Sequence, residues 1–363
     1  KETKKEKVVR LNSKITIHLN KLEGNLNAIK SRLRSGVKVM AVVKDEAYGH
    51  GLIKIAEFLQ HKVDWFCVVF AEEGKVLRES GIKNPVLVFE TPQKNKLGWY
   101  KEFGLTASVA DPDVIELLEA GTDFHVNFDT GMHRLGVLPH QVDELKKKIE
   151  SRPDLNHTGL YTHFFKSEIP EAGDTSDQLE VFKSIISKFR DDLYVHTSNS
   201  GGVFSSSHQD LQFDGVRPGI SLYGYEPGEA LIDDINPIID WSSFLMQVNP
   251  IKKGETVSYG GRWEAPEDGF IGVVPVGYGH GLFRILSNKI KVLIGERYYP
   301  QIGTITMDFI MIDLGQDMPE PGTEVFLLKG NDLTAGDWAR KAGTIPYEIV
   351  TSIKESLVRE YKD

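Results

Sequence analysis

The stretch that decides the fold is Val39-Met40-Ala41-Val42-Val43-Lys44-Asp45-Glu46-Ala47-Tyr48-Gly49-His50-Gly51. Its five leading apolar residues are what a parallel strand covered on both faces needs. Lys44 then falls at the strand's carboxyl end, where α/β folds place their ligands. A lysine half desolvated there offers an amine able to form a Schiff base. An ordinary surface lysine closing a strand is the plainer alternative, and this stretch alone leaves both open.

Outward from it, short apolar runs recur at Lys38–Lys44, Trp65–Phe70, Pro85–Phe89, Leu105–Ala110, Phe124–Phe128, Gly159–Phe164, Leu193–Thr197 and Gly215–Arg217. Helix-like segments lie between them: Leu52–His61, Glu72–Ser80, Asp111–Ala120, Gln141–Ser151 and Ser176–Asp191. Asp111 before Pro112 reads as an N-cap followed by proline at the first helical position. Strand-like runs alternating with helices over about 220 residues predict an α/β fold with an N-terminal (β/α)8 barrel. Periodicity leaves a doubly wound open sheet as the alternative. From about Trp241 turn signals crowd in around β-type runs at Phe270–Val276, Lys289–Ile294 and Phe309–Leu314, which predict a C-terminal all-β domain. The last segment, Tyr347–Tyr361, reads equally as helix or strand. The expected division is a charged, disordered tail over 1–7, a barrel over 8–235 and a β domain over 236–363.

The composition narrows the function classes. The chain has 363 residues, 40% hydrophobic and 26% charged, as in ordinary two-domain globular proteins. A net charge of -9 argues against nucleic acid as the main partner. No apolar run approaches a membrane span, so no membrane role is expected. Cys67 is the only cysteine, which rules out an intrachain disulfide and a cysteine zinc cluster. In the run Trp65–Phe70 it reads as a small core residue. The eleven histidines show no zinc spacing, so no metal is expected. A cytoplasmic location is expected. A periplasmic one stays open, because the first residue is not methionine and a leader could have been trimmed.

The usual short motifs, a Walker loop, a dinucleotide fingerprint, HExxH or a nucleophile elbow, are absent. Reactive residues instead recur where the barrel strands end: Lys44, then Asn127, Asp129 and Arg134, then His163, then Ser198 to Gly202, then Arg217. Together they surround one mouth. Ser200-Gly201-Gly202 and Gly219-Ile220 supply hydroxyl and backbone N–H groups for a phosphate, and Tyr48 could add a hydroxyl from the opposite side. A lysine amine facing a phosphate corner suits pyridoxal 5'-phosphate (PLP).

Here the chain resembles the alanine racemase family of PLP enzymes. The matching pieces are AVVKDEAYGHG (41–51), DTGMHRLG (129–136), LYTHF (160–164), NSGG (199–202), VRPGISLYG (216–224), VSYGGRW (257–263), VGYGHG (276–281), TMD (306–308) and PYE (346–348). They follow the family's order over nearly the whole chain. The resemblance implies that Lys44 holds PLP and acts as one base, with Tyr259 as the opposite base. In the family that tyrosine comes from the partner subunit, which implies a homodimer with shared sites. Arg134 would contact the PLP phenolic oxygen and Arg217 the pyridine nitrogen. Tyr48, Ser200, Gly219, Ile220 and Tyr347 would hold the phosphate, with Asn199 beside them. His163 would link Tyr259 to Arg217. Met307, Tyr278, Asp308 and Arg134 would line the site of a small amino acid, expected to be alanine. Two bases on opposite faces of a planar centre exchange a proton without turning the substrate.

The sequence also departs from the family. Many members carry a carbamylated lysine where this chain has Asn127, whose neutral amide cannot supply that negative charge to orient Arg134. After His163 the chain continues Phe164-Phe165-Lys166-Ser167-Glu168 where small residues and an acid are usual, and Thr304 replaces a frequent arginine. Both positions bear on the site's entrance in the family. The alternatives are a serine, lysine or broad-specificity racemase, a fold-related PLP decarboxylase, or a non-catalytic PLP carrier. The decarboxylases use a glycine-rich phosphate loop and a partner cysteine, and the carriers lack the β domain and a second base.

Overall fold

The computed structural model describes residues 10–169, 173–205, 209–228 and 232–363, so the tail expected over 1–7 lies outside the described residues. The described chain groups into two compact units: 23–47 with 51–235, and 10–22 with 48–50 and 236–363. Strand β1 (Arg10–His18) opens it and leads into helix α1 (Leu19–Lys30).

The first unit is a closed parallel barrel. Its strands are β2 (Lys38–Val42), β3 (Trp65–Val68), β4 (Val86–Val88), β5 (Thr106–Val109), β6 (Asp123–Phe128), β7 (Asn156–Thr162), β8 (Tyr194–Asn199) and β9 (Gly215–Arg217). Lys38 pairs with Gly215 and Val39 with Val216, so β2 meets β9 and the open-sheet alternative falls. Each strand lies on one of the apolar runs. Val39 to Val43 are at most 6% exposed, as burial on both faces requires.

Helices α2 (Lys44–Gly49), α3 (Leu52–Leu59), α4 (Ala71–Glu79), α5 (Leu97–Glu102), α6 (Val114–Leu117), α7 (Val142–Glu150), α8 (Asp174–Ile186) and α9 (Ser200–Phe204) come between the strands. The helix expected from Asp111 is shorter. The Asp111 carboxylate accepts the Asp113 N–H at 2.8 Å in a local turn, and α6 starts only at Val114.

The short helix α2 is left-handed. Asp45, Glu46, Ala47 and Tyr48 have φ between 51° and 54°, and Gly49 has φ 82°. L-residues pay roughly 1–2 kcal/mol each for that hand. The turn is tied down at both ends. The Ala47 N–H donates to Val43 O at 3.0 Å and the Gly51 N–H to Glu46 O at 2.7 Å. The Glu73 carboxylate takes the Asp45 N–H at 2.6 Å and that of Glu46 the Leu52 N–H at 3.2 Å. Gly49 also permits a close approach, since a Cβ there would lie 2.3 Å from Val350 O.

The second unit is a nine-stranded sheet in the order β11-β12-β15-β14-β13-β16-β10-β1-β17. Its further strands are β10 (Ile239–Phe244), β11 (Gln247–Ile251), β12 (Gly269–Val274), β13 (Lys291–Ile294), β14 (Arg297–Ile302), β15 (Ile310–Gly315), β16 (Glu324–Leu328) and β17 (Leu357–Lys362). Two helices accompany them, α10 (Ala335–Ala342) and α11 (Pro346–Ser352). The undecided last segment is therefore helix and then strand. The boundary expected at residue 8 needs correction. Strand β1 belongs to this sheet, antiparallel to β10 and parallel to β17. Its alternation Lys14-Ile15-Thr16-Ile17-His18 is the pattern of a largely antiparallel sheet, not of a doubly covered barrel strand.

Candidate active site

The carboxyl ends of the barrel strands carry the expected residues. Lys44 directly follows the apolar run of β2, with its side chain 33% exposed. Asn127 and Asp129 follow from β6, His163 comes just after β7, Ser200 just after β8, and Arg217 ends β9.

Arg217 is the most constrained of them, at 2% exposure. Nη1 donates to His196 Nδ1 at 2.6 Å. Nη2 donates to Thr162 O at 2.8 Å and Thr197 O at 2.9 Å, and meets His163 Nδ1 at 3.3 Å. The guanidinium carbon lies 5.1 Å from the centre of the Tyr161 ring. Nε is the one guanidinium nitrogen with no hydrogen bond among the described residues, and no carboxylate there pairs with this cation. Burial lowers the Arg217 pKa, yet an arginine keeps its proton in proteins. Burial first, then the charges of Arg217, Arg134 and Lys44, push His163 down to about 3.

In the corner expected to take a phosphate, three donors converge on one hydroxyl. Ser200 Oγ accepts the Gly219 N–H at 2.9 Å, the Ser221 N–H at 3.3 Å and the Ser221 hydroxyl at 3.0 Å. With its lone pairs taken, the Ser200 hydroxyl has only a proton to give. Ile220 is buried beside them. Asn199, expected to touch the cofactor, is engaged elsewhere. Its Oδ1 accepts the Gly202 N–H at 3.0 Å and the Ser167 hydroxyl at 2.6 Å, and its Nδ2 donates to Phe164 O at 3.0 Å. It is the N-cap of α9 and holds Ser200 in place. The Phe165-Lys166-Ser167 departure thus has a structural use in Ser167.

The 129–136 loop is organised by Asp129, whose Oδ1 accepts the N–H groups of Gly131 at 2.9 Å and His133 at 3.0 Å. Arg134, on this loop, is exposed and makes no side-chain hydrogen bond or ion pair among the described residues. Asn127 Nδ2 donates to Leu135 O at 2.8 Å, while its buried Oδ1 has no partner. Asn127 therefore braces the loop's backbone, not its arginine.

In the second unit, Tyr48 and Tyr347 bring their rings within 6.0 Å of each other. Tyr259 is 75% exposed, Met307 55% and Tyr278 41%, and Asp308 is exposed as well. The Tyr278 N–H donates to Thr306 O at 3.0 Å and the Gly279 N–H to Met307 O at 2.8 Å. Gly277 allows that contact, because a Cβ would lie 2.2 Å from Thr306 O. Thr304 is 1% exposed and donates its hydroxyl to the Tyr259 carbonyl at 2.8 Å. It props the Tyr259 loop.

Sequence reasoning missed His125, His196, Tyr161 and Ser221. The two histidines stood in strand-like runs, where the run length conceals which side chains face inward. A cavity of about 720 Å³ lined by Asp123, Asn156 and Leu193 opens at the amino-terminal ends of β6, β7 and β8, the end of the strands opposite Lys44. It is not part of this site.

Comparison with known proteins bears on the whole chain. The family model "Alanine racemase, N-terminal domain" matches residues 17–227, and "Alanine racemase, C-terminal domain" matches 238–361. An alanine racemase of Halothermothrix orenii is 35% identical, covering 96% of each chain. One of Treponema denticola is 33% identical over 97% of this chain and 98% of the relative. Among solved structures, the alanine racemase from E. faecalis superposes with a TM-score of 0.92 at 27% identity, covering 98% of this chain and 100% of that one. That from Bacillus anthracis with bound L-Ala-P gives 0.89 at 29% identity, covering 97% and 95%. With both units matched and such relatives spanning nearly its full length, the chain belongs to the alanine racemase family.

Proposed function

We propose that this chain interconverts L- and D-alanine with PLP held on Lys44, as a cytoplasmic homodimer whose sites are each completed by Tyr259 and Met307 of the partner subunit. When bound, PLP supplies an electron sink that acidifies the substrate Cα–H. The observation that carries this reading is Arg217. Among the described residues it is a buried cation without a counter-ion whose one unused N–H is on Nε, and it stands at the same mouth as Lys44 and the Ser200 corner. A protonated Nε–H suits a pyridine nitrogen that stays unprotonated. The Ser200 hydroxyl, left with only its proton to give, suits a phosphate oxygen.

Lys44 Nζ takes and returns the Cα proton on one face. Tyr259 Oη does so on the other. His163, held neutral and hydrogen-bonded to Arg217, is suited to orient the tyrosine. Tyr48 and Tyr347 would supply hydroxyls to the phosphate, and Arg134 would hold the phenolic oxygen. Tyr259, Tyr278, Tyr347 and Met307 are large and would leave room only for a small side chain. The high exposure of Tyr259 and Met307 supports their burial against a second copy.

The test is purified protein with added PLP, assayed against a panel of L-amino acids by chiral chromatography. Alanine should exceed lysine and arginine widely in kcat/KM. Comparable values for a basic amino acid would favour broad specificity, and no racemisation of any would reject the proposal.

A further inference from the structure

Behind Arg217 runs a second row of hydrogen bonds. Arg217 Nη1 donates to Nδ1 of His196 at 2.6 Å, and Nε2 of His196 meets Nδ1 of His125 at 2.9 Å. His196 and His125 are both 0% exposed, and Nε2 of His125 has no hydrogen-bond partner among the described residues. Arginine can only donate, so His196 Nδ1 must accept. A neutral His196 then carries its proton on Nε2 and gives it to His125 Nδ1. His125 must in turn carry its own proton on Nε2. Every proton in the row points away from Arg217.

We infer that His125 is a positioning residue for the racemase reaction, acting through His196 as an uncharged strut that fixes the Arg217 guanidinium without neutralising it. The inference rests on the reading in which Arg217 faces the cofactor ring. The choice of residues has a physical logic. A carboxylate behind Arg217 would also orient it, but would cancel much of its field at Nε. Two imidazoles supply acceptor atoms and no counter-charge. Burial keeps both neutral: it takes His125 down to about 3 and His196 well below its ordinary value. Packing fixes the rings. Tyr161 stacks on His196 at 4.8 Å and 12°, and Trp65 lies 5.3 Å from His125. The closeness of β7 to His125 depends on Gly159, where a Cβ would sit 2.7 Å from His125 Nε2. The row is no proton wire, because moving a proton along it would begin by deprotonating an arginine.

The first measurement is nitrogen-15 NMR of the histidine-labelled holoenzyme near neutral pH. Both His125 and His196 should be neutral with the proton on Nε2. A proton on Nδ1 of His196, or an imidazolium at either site, overturns the strut. The second uses two variants. His125→Asn keeps an acceptor where Nδ1 was, whereas His125→Leu keeps bulk and removes the acceptor. His125→Leu should lower kcat about tenfold, the worth of one buried hydrogen bond, with KM little changed. It should also shift the absorption band of bound PLP. His125→Asn should restore both. Equal loss in the two variants would mean that His125 only fills space, and would overturn the inference. If His125→Leu moves the His196 resonances but leaves the PLP band unchanged, the strut stands and the reading of Arg217 against the ring fails. If His125→Leu does not fold, the wild-type tautomers still decide.

Discussion

At the barrel mouth, Arg217 is 2% exposed and Ser200 4%, and each makes three or more hydrogen bonds within its own unit. In the β unit, Tyr259 is 75% exposed and Met307 55%, and it is the backbone of their loops that is pinned, by Thr304 and by Gly279. Arg217 and Ser200 have their polar groups aimed by neighbours in their own unit. The β-unit residues are presented on rigid loops with their side chains free to meet something else. A group that holds one cofactor in one pose gains from burial and fixed dipoles. A group lent to another subunit must stay outside its own.

The largest expected effect is at Lys44. On the proposed function Lys44→Ala would remove both the covalent anchor and a base, so racemisation should fall by at least the ~10²–10⁴-fold worth of one positioned base. Borohydride reduction and peptide mapping should find the pyridoxyl label on Lys44 in the wild type. Label on a different lysine would break the barrel half of the comparison.

Arg217 and Tyr259 sharpen it. Arg217→Leu strands the carbonyls of Thr162 and Thr197 and Nδ1 of His196 in the interior, each at a cost of about 1–3 kcal/mol. Its Tm should drop by many degrees. Tyr259→Phe keeps the ring and removes one hydroxyl, so it should change stability by no more than about 1 kcal/mol, while slowing proton removal from L-alanine ~10²–10⁴-fold. Similar Tm losses in the two variants would erase the contrast.

The barrel was legible because its signals are local. Near-continuous apolar runs such as Val39 to Val43 mark doubly covered strands, and chemical residues at their ends mark the mouth. That Lys44, Ser200 and Arg217 stand at strand ends could be read from the runs, whereas the roles expected of them came from the family resemblance. What stayed hidden depends on neighbours distant in sequence. His196 could be told from a core histidine only by Arg217 lying against it. The bonds of Asn199 to Phe164, Ser167 and Gly202 join segments up to 35 residues apart and leave no local signal in the sequence. The left-handed turn at 45–48 was invisible because none of Asp45, Glu46, Ala47 and Tyr48 favours that hand; tertiary hydrogen bonds impose it. Strand β1 was misplaced because its partners, β10 and β17, lie more than two hundred residues away.

Protonation gives a smaller, graded test of the barrel. Burial is the main cause that takes His125 and His163 down to about 3 and His157 to about 4. Below the ordinary imidazole value of about 6.5, the unfolded chain binds protons that the folded barrel refuses. The stability these residues contribute is therefore complete above about pH 6.5 and drains away as the pH falls towards 4 and 3. Urea midpoints should decline from pH 7 to pH 5, and His157→Gln should flatten part of that slope. A midpoint that rises on acidification would contradict the burial of these rings.

The smallest effect is at Cys67, where burial pushes the thiol up to about 12. The folded protein should resist thiol reagents at neutral pH without loss of activity, and should label only once unfolded. Rapid labelling of the native state would show that β3 opens.

The most direct measurement mixes two dead enzymes. Lys44→Ala chains keep Tyr259, and Tyr259→Phe chains keep Lys44. If the buried half of one subunit works with the exposed half of another, a heterodimer contains one complete site. With subunit exchange verified by mass spectrometry, the mixture should regain racemase activity that neither parent has. Activity that stays at the parental level after verified exchange would contradict a site shared between subunits.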